Sequence, residues 1–268
     1  MPKLHARALG LFYQVVVEFR LFWRNRQTIY LTFVVPMLGM ALFVYLNGEG
    51  MLASVFGALQ GGQGEAILND VSPMTLMTLG LVVYCIVDVA FESAVPRMVR
   101  ERSAGIYKRL GGTPLHASVF LAAKTATASF IVLIEVVLIL TVGLLSADIT
   151  VRGSWWLLGV ILLLGTFTTA ALGFALSSLT ASPEGAVVAV HAIYIPMLFL
   201  CGAFIPTEAM PKPLQLVAHA IPLTYFVGPF HTVMVDGASL KGVVSDLLIL
   251  LAWLAGAWFV AIKTFRWE

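Results

Sequence analysis

Three carboxylates in this chain sit where a carboxylate is costly. Asp88 and Glu92 lie inside one long apolar run, and Glu135 lies near the middle of another. On membrane-insertion scales an acid at that depth costs about 2.5–3.5 kcal/mol unless it is neutral, paired or hydrated. Asp88 and Glu92 are four positions apart, so on a helix they share a face. The residues allow two readings. The acids line a polar seam that contacts a cationic cargo or holds a gate. Alternatively they are satisfied locally, Asp88 and Glu92 by Arg97 or Arg100, and a protonated Glu135 by a hydrogen bond to another helix. His191, in a further apolar run, reads as a packed hydrogen-bonding residue. A proton-driven carrier acting through Glu135 would be favoured by an inverted repeat between the two halves of the chain, and none is visible. An intramembrane enzyme would need catalytic spacing, which these groups lack. The chain has no G-x-x-x-x-G-K-[ST] phosphate loop, so it has no ATP-hydrolysing site of that kind. It has no H-E-x-x-H and no C-x-x-C, and no catalytic or metal site is expected.

These groups must be positioned by membrane helices. Of the 268 residues, 60% are hydrophobic and 11% charged, and the mean hydropathy is +0.95. A soluble domain carries about 25% charged residues. Six runs approach the ~20 residues that cross a hydrocarbon core, at 28–46, 74–95, 119–145, 155–179, 186–205 and 243–262. Cys85 and Cys201 fall within apolar runs and read as small buried hydrophobes. No cleavable signal peptide is expected at the N-terminus.

Thirteen of the sixteen Lys and Arg residues fall before the first run, at 97–124, or in the tail. Arg152, Lys212 and Lys241 are the exceptions. The positive-inside rule therefore predicts both termini and the 96–118 loop in the cytoplasm. Residues 1–27 carry Leu11, Phe12, Val15, Val16, Phe19, Phe22 and Trp23 at helical spacing, with Arg20, Arg24 and Arg26 beside them. That pattern predicts an interfacial helix lying along the bilayer surface. The 47–73 loop is Gly-rich and lacks Lys and Arg, with a candidate amphipathic helix near Met51–Leu59. Trp155 and Trp156 read as an interfacial belt.

Between the second and third runs lies Glu101-Arg-Ser-Ala-Gly-Ile-Tyr-Lys-Arg-Leu-Gly-Gly-Thr-Pro114. Pro96 is expected to end the second span. A short basic helix follows with Gly105 as its weak point, Gly111 and Gly112 stop it, and Thr113-Pro114 suits the N-cap and first turn of the next helix. Charge alone is also satisfied by a plain cytoplasmic loop. The set Glu101, Arg102, Gly105, Leu110, Thr113 and Pro114, followed by Lys124, resembles the signature of ABC-2 type permeases. The resemblance implies a coupling helix docked on a nucleotide-binding ATPase subunit. Ile106 and Lys108 depart from the commonest form, which has Thr and Glu there.

A second signature lies later: Gly202, Phe204, Pro206 and Pro211, then Pro222 and Tyr225. Its short apolar stretches, broken by prolines, predict a re-entrant hairpin over 206–236 that dips into the outer leaflet; a surface-lying loop is the alternative. The order again resembles ABC-2 permeases, where such helices close the outer end of the pathway. The basic residue usual after the Tyr is absent, and His231 lies nearby. Together the signatures imply an all-α fold of six transmembrane helices, an interfacial helix, a cytoplasmic coupling helix and an outer hairpin. They imply one permease subunit of a dimeric bacterial or archaeal cell-membrane exporter, without a cofactor of its own. Mg-ATP would be held by the partner ATPase subunit, a second copy or a homologous permease and membrane lipid would be the other partners, and nucleic acid is not implied. The form of the loop looks closest to the drug-resistance branch, with a drug-like or lipid-like amphiphile as cargo; export of a lipid-linked glycan is the alternative.

Overall fold

Backbone groups in hydrocarbon find no water, so each crossing segment must close its own hydrogen bonds. In the computed structural model every regular element among the described residues is accordingly a helix. The structure describes residues 2–51, 54, 73–113, 115–146, 149, 151–204, 207, 210–265 and 267. Pro114, Pro206 and most of the 47–73 loop, including all of the candidate helix near Met51–Leu59 but Met51 and Ser54, lie outside them.

Six helices are long and apolar enough to cross a bilayer: Tyr30–Gly48, Met74–Ser103, Ala117–Leu145, Trp155–Leu179, Pro183–Leu200 and Leu240–Thr264. They are the first to sixth spans below, and the chain is an all-α membrane protein. A helix over Pro2–Arg24 precedes them and packs along the third span. Two short helices, Lys212–His219 and Thr224–Asp236, stand between the fifth and sixth spans. The fifth span begins where the Ser182 hydroxyl accepts a hydrogen bond from the Gly185 N–H, with Pro183 in the first turn. It ends at Leu200 rather than Ile205, and the chain then bends through Gly202 at φ +90°.

Pro96 does not end the second span, which continues to Ser103. The reason lies one turn earlier, where Asp88–Ser93 is a π-helical turn. In a regular α-helix the Pro96 ring would crowd the carbonyl of residue 92. The wider turn at that point loosens the ladder and lets the helix run on. A second π turn, Tyr30–Val34, opens the first span.

The second span is buried along 89% of its most apolar window, whereas the first and fifth are buried along 17%, so the second is central and those two are peripheral. The fourth span packs on the sixth most extensively and also meets the second, the third and the Thr224–Asp236 helix. Small residues permit this. A Cβ on Gly173 would collide with the Ala90 carbonyl oxygen, and one on Gly165 with the Phe226 ring. Buried hydroxyls of Thr125, Thr127, Thr166 and Thr169 donate to carbonyls one turn back, so these hydroxyls are not stranded. Cys85 and Cys201 are free and buried, as expected.

The Thr224–Asp236 helix has 13 residues, or about 20 Å at 1.5 Å per residue. It is too short to cross a bilayer, yet Phe226, Val227, Phe230, Val233 and Met234 are buried. It is wedged against the fourth and sixth spans.

Replacing Gly173 by Val should destabilise the bundle by about 1–3 kcal/mol, because backbone stands where the side chain must go. Gly159 has nothing within 4 Å of where a Cβ would stand, so Gly159→Val is the matched control and should unfold like the parent. Thermal unfolding in detergent compares the two; equal midpoints would contradict the packing described.

Candidate functional site

The segment joining the second and third spans reverses at a single residue. Gly105 has φ +70°, a left-handed conformation that favours glycine. Ala104 and Gly105 donate their N–H groups to the Arg100 and Arg102 carbonyls and close the preceding helix. A six-residue helix, Ile106–Gly111, then runs before the third span starts at Ala117. Thr113 does not cap that next helix. Its N–H and hydroxyl both donate to the Leu110 carbonyl, so it finishes the short helix instead.

Behind the short helix lies a buried ionic network. The Lys124 ammonium, only 3% exposed, is 2.9 Å from Glu18 and 3.1 Å from Glu101. Arg97 donates to Glu18 at 3.0 Å and lies 3.7 Å from Glu101. Two cations and two carboxylates thus cancel within a few ångströms, which is the condition for burying charge without a large penalty. The Tyr107 hydroxyl donates to Glu101 at 3.0 Å. Burial, and then the Glu101 charge, push the Tyr107 phenol well above its ordinary pKa, so it stays a donor. The network ties together the Pro2–Arg24 helix, the end of the second span, the short helix and the third span.

Arg102 turns inward as well. Its guanidinium donates to the carbonyl oxygens of Ser177 and Thr180, where the fourth span leaves acceptors unpaired. An aromatic group closes the remaining side: Tyr107, Phe120 and Phe265 have ring centroids 5.2–5.8 Å apart, and Trp267 packs on Gly111. Leu110 is half-buried against the core. Glu101, Arg102 and Leu110 therefore anchor the short helix, which exposes Ile106, Lys108, Arg109 and Gly111, with Gly112 and Thr113 exposed just beyond it.

Within the spans, Asp88 and Glu92 both sit on the π turn and line a cavity of ≈ 210 Å³. They do not pair with Arg97 or Arg100. Arg97 is held by Glu18 and Glu101, and Arg100 stands at the exposed rim of the cavity. Glu92 instead meets Nε2 of His191 on the fifth span at 2.8 Å. Asp88 is buried beside the Tyr84 hydroxyl. Glu135, 2% exposed, has no hydrogen-bond partner for either oxygen among the described residues, so the expected bond to another helix is not made.

The late signature gathers at the far end of the bundle. The fifth span starts near the Arg102 contact and carries the chain about 27 Å away over its 18 residues. There the Phe204 ring lies where a Cβ on Gly80 would be, locking the bend after Gly202 against the second span. Pro211 caps the Lys212–His219 helix, and Pro222 is buried in the next turn. Tyr225 donates from its hydroxyl to the His219 carbonyl at 2.8 Å, and Thr224 does the same to Ala218 at 2.6 Å. The Pro-rich stretch is thus a clasped helical corner.

Glu18, Tyr107, Phe265 and Trp267 carry contacts that sequence reasoning did not assign. Glu18 had a signal: it falls on the apolar face of its helix, three residues after Val15 and four before Phe22.

Residues 11–235 match the family described as ABC-2 type transporter. The chain is 29% identical over 205 residues to the inner membrane transport permease YhhJ of Escherichia coli (strain K12), covering 75% of this chain and 50% of that protein. It is 26% identical over 156 residues to a probable multidrug ABC transporter permease, YbhS, of the same organism, covering 58% and 41%. It is 27% identical over 177 residues to a putative transport permease, YvfS, of Bacillus subtilis (strain 168), covering 66% and 71%. The alignments thus span about half the length of the two Escherichia coli proteins.

Lys124→Met leaves two carboxylates buried side by side, and should cost about 3–5 kcal/mol. Adding Glu18→Gln to that variant should recover part of the loss, because the network acts as a unit. Denaturant or thermal unfolding in detergent measures both; a neutral Lys124→Met would show that the pair is not formed.

Proposed function

The chain belongs to the ABC-2 type transporter family, and we propose that it is the permease subunit of an ATP-driven exporter. On this reading its loop end faces the cytoplasm, as the distribution of Lys and Arg suggests. A separate ATPase subunit, holding Mg-ATP, docks on the exposed side of the Ile106–Gly111 helix. Two copies pair along their peripheral spans, and the cargo is a drug-like or lipid-like amphiphile taken from the cytoplasm or the inner leaflet.

The observation that carries this reading is the division of labour around that short helix. Its back is tied to the second, third and fourth spans through Tyr107, Glu101 and Arg102, while its front offers Ile106, Lys108 and Arg109, all exposed. A helix held that firmly transmits a push. If nucleotide binding changes how the ATPase grips the front, the force reaches the second, third and fourth spans through the contacts behind it. The peripheral first and fifth spans support pairing, since large apolar side chains such as Leu38, Leu42, Val188 and Phe199 are exposed there.

The test is affinity purification of the tagged chain from its native membranes in mild detergent, with an ATPase assay on the eluate. The parent should bring an ATP-hydrolysing subunit with it. Ile106→Asp should reduce that activity at least about tenfold, the effect of losing one interface hot spot, while the chain still inserts and unfolds normally. Gly105→Pro should do the same, because proline cannot adopt positive φ. A parent protein recovered without ATPase would overturn the proposal.

A further inference from the structure

The cavity beneath the first span has walls of an unusual kind. Both π turns border it, Tyr30–Val34 through Leu31 and Thr32, and Asp88–Ser93 through Asp88 and Glu92. π turns that interrupt helices are frequent at functional sites. Its volume, ≈ 210 Å³, matches about seven waters at ~30 Å³ each. Pockets for drug-sized ligands run from about 300 to 1,000 Å³. The space therefore suits one small polar headgroup, whose remaining bulk must stay outside it.

Charge decides which headgroup. Arg97 is neutralised within the Glu18–Glu101–Lys124 network. Glu92 is answered by His191. A carbonyl can only accept, so Nδ1 of His191, 2.8 Å from the Val187 oxygen, carries a hydrogen. Nε2 of the same ring lies 2.8 Å from a Glu92 oxygen, so the imidazole stands against that carboxylate. Arg100 stands at the exposed rim and forms no ion pair with Asp88. Asp88 remains: buried, lining the cavity, and without an ion-pair partner among the described residues.

From this geometry we infer that the cavity binds the organic ammonium group of a membrane amphiphile, with Asp88 as its counter-ion. A small cation restores the balance that the protein's own residues leave open, and Thr28 and Thr32 on the opposite wall provide hydroxyls for its N–H groups. The tail of the amphiphile stays in lipid. This binding reading requires the chain to be in a membrane but does not require ATP-driven export.

The test uses the purified full chain in maltoside micelles, with native mass spectrometry to count retained amphiphiles. Dodecylamine is compared with dodecanol, and phosphatidylethanolamine with phosphatidylglycerol. The parent should retain at least one amine-bearing probe over its hydroxyl partner, and Asp88→Asn should reduce that retention about tenfold or more. Thr28→Leu, which fills the cavity from the other wall and leaves its charges alone, should reduce it too. That variant decides the matter if Asp88→Asn does not fold. Preference for phosphatidylethanolamine alone makes the source a bilayer lipid, and preference for dodecylamine makes it a drug-like amine; both support the site. Equal retention of amine and hydroxyl probes, or a preference that survives both variants, overturns it. Because no ATPase is present, this failure is separate from failure of the exporter proposal.

Discussion

Everything at the loop end of this molecule depends on burying Lys124. An ammonium at that position is tolerable only because Glu18 and Glu101 close on it from two sides and Arg97 balances the surplus carboxylate. The partners come from two stretches of chain, with Arg97 and Glu101 one helical turn apart and Arg97 and Glu18 79 residues apart. Satisfying one charge thus fixes the register of the Pro2–Arg24 helix against the third span and of the second span's end against both. Apolar packing alone would let these helices slide, whereas a charge quartet in a low-dielectric setting has one good geometry.

The short helix inherits that rigidity. Tyr107 reads the position of Glu101 directly, and Arg102 reads the end of the fourth span. The one residue at which the backbone reverses, Gly105, makes no packing contact within 4 Å of where a Cβ would stand, so its requirement is conformational rather than steric. A rigid helix with a firm back and an open front is suited to pass motion in either direction between a docked subunit and three spans.

The membrane interior follows the same economy with a different outcome. Hydroxyls there are satisfied within their own helices, and Glu92 finds His191. Asp88 and Glu135 are the acids left without a cation among the described residues of the core, and they belong to neighbouring helices. Asp88 opens on a cavity bordered by two π turns, so the helical irregularity and the unanswered charge occur at one place. Nothing in the described contacts explains Glu135.

Much of the fold was legible in the sequence because it rests on local properties. The length and hydropathy of a run determine that it crosses, and six such helices are found. Gly105 read as a weak point within a helix, whereas its left-handed backbone ends one helix and starts another. Proline misled at Pro96, where a π turn three residues earlier absorbs the ring, and Pro196 and Pro229 also lie inside helices. The spacing from Glu101 to Thr113 identified the loop but not its orientation. That Glu101 and Arg102 face inward while Ile106 and Arg109 face out is a matter of helical phase after a left-handed turn, which only the folded chain sets. The partners of Asp88, Glu92 and Lys124 were likewise beyond the sequence. A buried charge chooses among groups brought near by packing, and Arg97, within ten residues of the acids of the second span, is claimed by Glu18 from 79 residues earlier in the chain.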